Sequence, residues 1–412
     1  MKRLLPVLVV LFLGYLGFSL ALPIFPPLFL DLKHGFLPLE TSVAMRRILL
    51  GILFSMYPLG QFIGAPIMGK LSDKWGRKPV LLISLLAIIP GYIGCALSVA
   101  FHLPILMYVS RLWVGLLEGN ITIAQAAITD ISEDEKSKTK NFGWMVSLSS
   151  SAFFFGPLIG GKMADSKLIY WFHYDTPFWC GALLVFIGFL IVWRLFKETH
   201  EADHTVEIRP LKIFTSFIDS LRIKRLRVIY LANMCFFFAI FFFLNFFSAY
   251  LVNVFGFNVS QLGEANAYLS IFMVLGPLLF GWMAKFWTAP KVSLFGSVLM
   301  GISLIVFLLP NSPYALFATL IPVGFFMAIG FAYPALMISN VVSKRIQGQV
   351  LGTNMAIQVF GEGATALIGG FLMALFTSFP IWIGAIVAII GGALLISETR
   401  RPHRQHSSSS SS

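Results

Sequence analysis

Twelve separate stretches of this chain each hold about 20 or more mainly apolar residues, the length a helix needs to cross a bilayer core. They lie at approximately 4–30, 48–69, 79–99, 103–128, 141–163, 177–196, 227–253, 262–284, 291–309, 313–339, 347–376 and 379–397. An open strand in hydrocarbon leaves its backbone unpaired, so all twelve are read as helices. The expected fold class is all-α integral membrane, with twelve transmembrane helices in two pseudo-symmetric six-helix halves. Composition agrees. Only 12% of the 412 residues are charged and mean hydropathy is +0.84, whereas a soluble domain carries roughly 25% charged residues. Met1-Lys2-Arg3 runs straight into the first stretch without a small-residue cleavage site, so that stretch reads as a span.

The basic residues set the topology. With both termini cytoplasmic, inner segments hold 24 of the 30 Lys and Arg. Outer segments hold five (Lys33, Arg46, Arg47, Lys162 and Lys167), and Arg111 lies inside the fourth span. This is the positive-inside pattern. It accounts for the net charge of +12 without a nucleic-acid partner, because the cations alternate with apolar spans instead of forming one basic face. The partners expected are a small-molecule substrate, protons and the lipid bilayer, with the chain acting as a monomer. Cys95, Cys180 and Cys235 all fall within spans, which indicates neither a disulfide framework nor a metal site. The sequence shows no phosphate-binding loop, metal cluster or nucleophilic triad, so an enzyme is not expected and no cofactor is called for.

The longest inner loop divides the spans six and six: 1–197, a linker at 198–226, then 227–398, with a disordered cytoplasmic tail at 399–412. Within the linker, 210–219 reads either as an amphipathic helix on the membrane surface or as a plain connector. The halves echo each other. Ala65-Pro66 with Gly69 recurs as Gly276-Pro277 with Gly281, and Gly160-Gly161 recurs as Gly369-Gly370, at a nearly constant offset. Such parallel repeats occur in transporters whose site lies between two six-helix units.

Between the second and third spans lies Gly69-Lys70-Leu71-Ser72-Asp73-Lys74-Trp75-Gly76-Arg77-Lys78-Pro79. So short a connection leaves little room for incidental residues. Gly69 is expected to allow close helix approach, Gly76 to supply a turn, and Pro79 to suit the first turn of the next helix. Asp73 and Arg77 are spaced to pair or to reach a helix end opposite, and Lys78 marks the cytoplasmic side.

Ionisable groups inside spans are few and costly, about 2.5–3.5 kcal/mol each at a helix centre on insertion scales, which makes them functional candidates. Arg111, Glu118 and Gln125 are spaced by seven, with Thr122 between, and should share one face of the fourth helix. Arg111 and Glu118 stand roughly 10 Å apart along such a helix, so each needs a partner elsewhere. Glu118 is the expected proton-coupling acid, against the alternative of a fixed structural contact. Asn354, Gln358 and Glu362 step by four along the eleventh helix, as cavity lining or as interhelical glue. Glu264 falls in the first turn of the eighth helix, where the dipole favours an acid. Eight Phe between 236 and 247, with Asn233 and Asn245, make a lipid face or an aromatic wall. Tyr15, Ser19 and Tyr333 are further cavity candidates, and Pro23, Pro26 and Pro27 mark bends.

These motifs resemble the major facilitator superfamily. The 69–79 loop matches that family's loop 2–3 signature nearly throughout. Arg111-Leu112-Trp113-Val114-Gly115, continuing to Gly119, resembles its fourth-helix pattern. Gly156-Pro157-Leu158-Ile159-Gly160-Gly161 resembles the core of its fifth-helix antiporter motif. Arg345-Ile346-Gln347-Gly348-Gln349-Val350-Leu351-Gly352-Thr353-Asn354 is similar to the start of helix 11 in the tetracycline-efflux branch of drug/proton antiporters. The resemblance implies a twelve-helix rocker whose cavity is lined mainly by helices 1, 4, 7 and 10. It also implies export driven by the proton gradient, in the inner membrane of a bacterium. Two departures stand out. Drug antiporters of this kind often carry an acid in helix 1, where Gly14-Tyr15-Leu16-Gly17-Phe18-Ser19 has none; and Ser149, Ser150 and Phe153 replace glycines before Gly156. The leading expectation is a secondary transporter cycling by alternating access and exporting drugs or metabolites against protons. An uptake permease for a metabolite or siderophore and a non-transporting receptor are the alternatives. In the leading case Asp73 and Arg77 are expected to latch the outward-facing state.

Overall fold

The computed structural model describes residues 4–32, 36–205, 224–283, 286–339, 341 and 344–399. The linker segment 206–223, with its surface-helix candidate, lies outside the described residues, as do Met1-Lys2-Arg3, Lys33, Lys285 and the tail from 400 onward. The first span is two helices, α1 (Leu5–Leu20) and α2 (Phe25–Leu30), with Pro26 and Pro27 opening the second. There follow α3 (Val43–Trp75), α4 (Arg77–Ala100), α5 (Pro104–Leu117), α6 (Asn120–Ile131), α7 (Glu135–Met163) and α8 (Thr176–Leu195). After the linker come α9 (Lys224–Phe255), α10 (Val259–Met283), α11 (Ala289–Phe307), α12 (Pro313–Ser339), α13 (Lys344–Leu375) and α14 (Phe379–Leu394). A last turn, Ile396–Thr399, closes the described chain.

By length and apolar composition, ten segments among the described residues can cross a membrane. The fourth and eighth spans are not among the ten, and the fourth is interrupted. α5 stops at Leu117, Glu118 and Gly119 form a tight turn, and α6 restarts at Asn120. The chain is pressed against its neighbour there: a Cβ on Gly119 would lie 2.7 Å from the Ala65 backbone nitrogen of α3. The backbone tightens to i→i−3 bonds, Ile121 N–H to Glu118 O and Thr122 N–H to Gly119 O, both 3.1 Å. The expected single face running from Arg111 through Glu118 to Gln125 is therefore broken in the middle.

Packing repeats between the two sets of six spans. In the first, α3 packs on α5, α1 on α7 and on α8, and α4 on α8 and on α5. In the second, α10 packs on α12, α9 on α13 and on α14, and α11 on α14 and on α12, which is the same pattern shifted by six spans. The two sets meet through α3 against α13 and α7 against α10, and the same exchange relates these two contacts. Two apolar cores result. The first takes in only Phe246, Ala249, Val259, Ala366 and Met373 from the second set.

Those five residues lie toward the end of the bundle opposite the 69–79 loop, and that end is sealed. A Cβ on Gly51 would lie 2.7 Å from Ala366 O, and one on Gly370 would lie 2.9 Å from Gly51 Cα. At the second crossing, a Cβ on Gly161 would lie 2.7 Å from Val259 O, and one on Gly263 would lie 3.1 Å from Gly161 Cα. Bare backbone is what lets the helices touch. Arg47 donates across the boundary to Met373 O (3.0 Å) and Asn253 Oδ1 (3.4 Å), and Lys162 pairs with Glu264. Glu264, expected only to favour its own helix dipole, thus also ties α10 to α7. Arg46, buried beside these, donates to Phe29 O, Leu37 O, Pro38 O and Thr41 O and fixes the connection into α3. Toward the loop end, by contrast, a Cβ on Gly143 of α7 or Gly352 of α13 would have nothing within 4 Å. Among the described residues, the tight backbone crossings between the halves lie at the sealed end.

Candidate functional site

Glu118 is buried (2% exposed) at the interruption of the fourth span, where a helix end frees it from the regular side-chain direction. Its carboxylate accepts from the Tyr57 hydroxyl of α3. The same carboxylate lies 3.6 Å from the place a Cβ would occupy on Gly14 of α1. The helix-1 position that carries no acid in this sequence is thus reached by an acid from the fourth span. Tyr15 stands beside Ser149 within Coulombic reach of Glu118, its ring centroid 6.0 Å from that of Phe153.

Arg111 is also buried, at 3% exposure. It makes no ion pair with Glu118; its guanidinium carbon lies 4.8 Å from the Tyr57 ring centroid and 5.3 Å from that of Phe25. Its Nε and Nη1 have no hydrogen-bond acceptor among the described residues. Cation–π contact of this kind is worth about 2 kcal/mol or more when desolvated, which leaves most of the cost of burying the charge to nearby carboxylates. Arg111 and Glu118 both contact Tyr57, so the two charges stand near each other without touching. Tyr57 is the member that sequence reasoning missed, since a tyrosine in an apolar span carries no charge to flag it.

The other candidates divide. Thr122 turns its hydroxyl back to Gly119 O (2.6 Å) and toward Ala65 O (3.4 Å), and Gln125 is half-buried on α6. Ser19 is not a cavity group: it is fully buried and its hydroxyl ties α1 to α7 through Ala152 O (2.9 Å). Tyr333 is likewise buried, within the second core. Asn233 donates to Asn354 Oδ1 (3.0 Å), both buried, so this part of the α13 stripe holds α13 to α9. Gln358 and Glu362 are half-buried on the same helix, and the Glu362 carbonyl accepts from Asn245 (3.4 Å). The fifth-helix glycines sit under α1: a Cβ on Gly156 would lie 3.1 Å from Leu16 O, and one on Gly160 3.0 Å from Leu20 C, with Pro157 inside α7. Gly115 similarly sits on the Tyr57 backbone, where a Cβ would lie 3.0 Å from Tyr57 Cα.

The loop is a closed network within the first half. Arg77, 7% exposed, donates to Asp73 (2.6 Å), Ser72 (2.5 Å) and Asp130 (3.2 Å) at the end of α6. Gly76 has φ +95°, a conformation that side chains with a Cβ resist, and it separates α3 from α4. Lys78 and Pro79 lie in the first turn of α4. The Glu198 carboxylate caps that turn, accepting from Arg77 N–H and Lys78 N–H at 2.9 Å each. It also accepts from Thr199 N–H (2.9 Å) and His200 N–H (3.2 Å), while Asp203 N–H donates to Asp73 O (3.1 Å). Burial pushes the Glu198 carboxyl up, but these four donors outweigh it and hold it below the usual range. Gly69 differs from expectation: a Cβ there would meet only Thr122 Oγ1 at 3.9 Å, so no close approach depends on it. The Asp73–Arg77 pair is already formed while the opposite end is sealed.

The sequence profile of the Major Facilitator Superfamily matches residues 7–263 and, again, 229–411. The chain is 28% identical over 403 residues to the class B tetracycline resistance protein of Escherichia coli, covering 92% of this chain and 90% of that one. It is 24% identical to the quinolone resistance protein NorA of Staphylococcus aureus (strain COL), covering 96% and 95%. The fold is similar to that of a D-xylose–proton symporter, with TM-score 0.76, 15% identity, and coverage of 97% of this chain and 98% of that one. The duplicated six-span packing, the 69–79 network and these similarities agree: the chain is a multi-pass integral membrane transporter and belongs to the Major Facilitator Superfamily.

Proposed function

We propose that this protein exports small, partly apolar organic compounds, tetracycline- and quinolone-like drugs among them, in exchange for protons. The observation that carries the reading is Glu118, a buried carboxylate held by Tyr57 beside α1 and faced by Arg111. A group of this kind takes a proton from one side and yields it to the other as access alternates, and the proton gradient is the energy source. Its relatives being resistance proteins favours export over uptake. Its bacterial resistance relatives support an inner-membrane location, and the basic-residue asymmetry supports both termini being cytoplasmic. In that orientation the loop end faces the cytoplasm and the sealed end faces out, which supports reading this conformation as the inward-open state of a transporter we take to be monomeric. On this reading the Asp73–Arg77 pair is formed in the inward-open state as well, which argues against its latching the outward-facing state alone.

The test is flux of tetracycline and norfloxacin in proteoliposomes under an imposed pH gradient. Accumulation should follow the gradient in the wild type and fall to downhill exchange in Glu118→Gln, with binding retained. Equal gradient-driven flux in Glu118→Gln would remove Glu118 from the coupling role.

A further inference from the structure

The connection from α7 to α8 is where the duplicated architecture departs from itself. α7 ends at Met163 and α8 begins at Thr176, so the twelve residues 164–175 join them. The matching helices of the second half, α13 and α14, are joined by only three, Phe376, Thr377 and Ser378. Closing this turn therefore does not require the extra length. The longer connection is nonetheless folded. Lys167 N–H donates to Asp165 Oδ1 (3.0 Å), Leu168 N–H to Asp165 O (3.1 Å), Phe172 N–H to Ile169 O (2.9 Å) and Thr176 N–H to His173 O (3.1 Å). Tyr174 packs half-buried on the first core and pins the far end. Between these turns Leu168, Ile169, Tyr170 and Trp171 stand exposed in succession, Tyr170 at 86%. Such a run of exposed apolar residues on a folded loop marks a contact surface.

Position and composition name the partner. The loop leaves α7 just beyond Lys162, which pairs with Glu264 at the sealed end. α8 has 20 residues, roughly 30 Å at 1.5 Å per residue, which is the thickness of a bilayer's hydrocarbon core. Its first residue thus lies at one edge of that core, and the loop before it lies at the level of the headgroups. Trp179, Leu183, Phe186, Leu190 and Trp193 recur at steps of four and three and are all exposed, so they form the stripe of α8 that lipid covers. The loop stands at the sealed-end terminus of this stripe. Tyrosine and tryptophan favour the interface, where the ring is buried and the polar tip stays wet. Charge offers no other attraction, since Asp165 and Asp175 outweigh Lys167. We propose that residues 168–171 insert into the boundary between headgroups and acyl chains at the sealed end. They form an interfacial anchor of the first half that the α13–α14 connection lacks. The partner is phospholipid, engaged through apolar side chains to a depth of roughly 5–10 Å.

Depth is measured on the full chain in phosphatidylcholine vesicles, without substrate or gradient, so the result is independent of the export reading. Cys95, Cys180 and Cys235 are replaced by Ala, and nitroxide labels are placed one at a time by Tyr170→Cys, Glu40→Cys and Phe186→Cys. Glu40 is exposed in the loop before α3 and serves as the aqueous reference; Phe186 lies on the lipid stripe and serves as the buried one. The label at position 170 should lose most of the access to a water-soluble nickel chelate seen at position 40. It should gain oxygen access part-way to the value at position 186, and phosphatidylglycerol added to the vesicles should leave both values unchanged. Nickel access equal to that at position 40 overturns the proposal, as does insertion that appears only with phosphatidylglycerol. Spin–spin broadening that unlabelled protein dilutes away also overturns it, by making the occupant a second copy. Should the cysteine-free chain fail to reconstitute, the chain with its native cysteines is read by fluorescence. Phosphatidylcholine brominated high on its acyl chains should then quench a component of the wild type that Trp171→Phe removes, and identical quenching in the two overturns the proposal.

Discussion

Tyr57 stands between Arg111 and Glu118: its hydroxyl donates to the carboxylate and its ring face carries the guanidinium 4.8 Å from the centroid. Acid and base thus share a neutral intermediary instead of an ion pair. Tyr57→Phe keeps the ring and removes only the donor. A hydrogen bond to a charged group is worth about 1.5–3 kcal/mol, so gradient-driven turnover should fall by roughly tenfold or more while downhill exchange persists. Tyr57→Leu, which also removes the ring face, should be worse. Initial rates in proteoliposomes compare the two.

The sealed end depends on Gly370. A Cβ there would lie 2.9 Å from Gly51 Cα and 3.2 Å from both Arg47 O and Ile48 O, with backbone on every side. Overpacking of this kind costs typically about 1–3 kcal/mol, enough to shift a two-state population by roughly 5- to 150-fold. Gly370→Val should therefore favour the state open at that end. Spin labels on exposed Val43 and Leu375 should report a longer separation than in the wild type.

Lys162 and Glu264 bridge the same end, but both are half-exposed, at 38% and 50%. Such a pair contributes about 0.2–1 kcal/mol and is screened by salt. Lys162→Gln should shift the same label distribution less than about fivefold, and the difference from wild type should vanish at high ionic strength.

Glu198 caps α4 from the start of the linker. Its carboxyl is held below the ordinary value of 4.5, so its stabilising effect is complete above that value and is lost as pH falls beneath it. Replacing a helix cap costs about 0.5–2 kcal/mol. Glu198→Gln should accordingly speed hydrogen exchange at the Arg77 and Lys78 amides by roughly 2- to 30-fold at neutral pH. Wild type and variant should converge as the solution is acidified.

The twelve spans were legible because hydrophobic length is a property of each segment alone. What escaped was set by contacts between segments. The turn at Glu118-Gly119 interrupts a span that reads as continuous, where Gly119 lies against the Ala65 backbone of another helix. Ser19 read as a polar group available to a cavity, yet the acceptor it meets belongs to α7, while Asn354 is glue to α9, one of its two readings. Glu198 looked like the opening of a connector because its partners are main-chain N–H groups, which sequence does not distinguish. The chemistry of Asp73 and Arg77 was visible from their spacing, but Asp130, the third member, lies 53 positions beyond Arg77.

The two glycine crossings, Gly51 with Gly370 and Gly161 with Gly263, close the bundle with main chain that has no preference among compounds. Resistance selections that yield alleles at these four positions should scale the tolerated dose of every exported compound by a common factor. Alleles near Tyr57, Arg111 or Glu118 should reorder the compounds instead. The shape of a resistance spectrum would thus report which part of the protein a clinical or laboratory variant has altered: the hinge or the cargo hold.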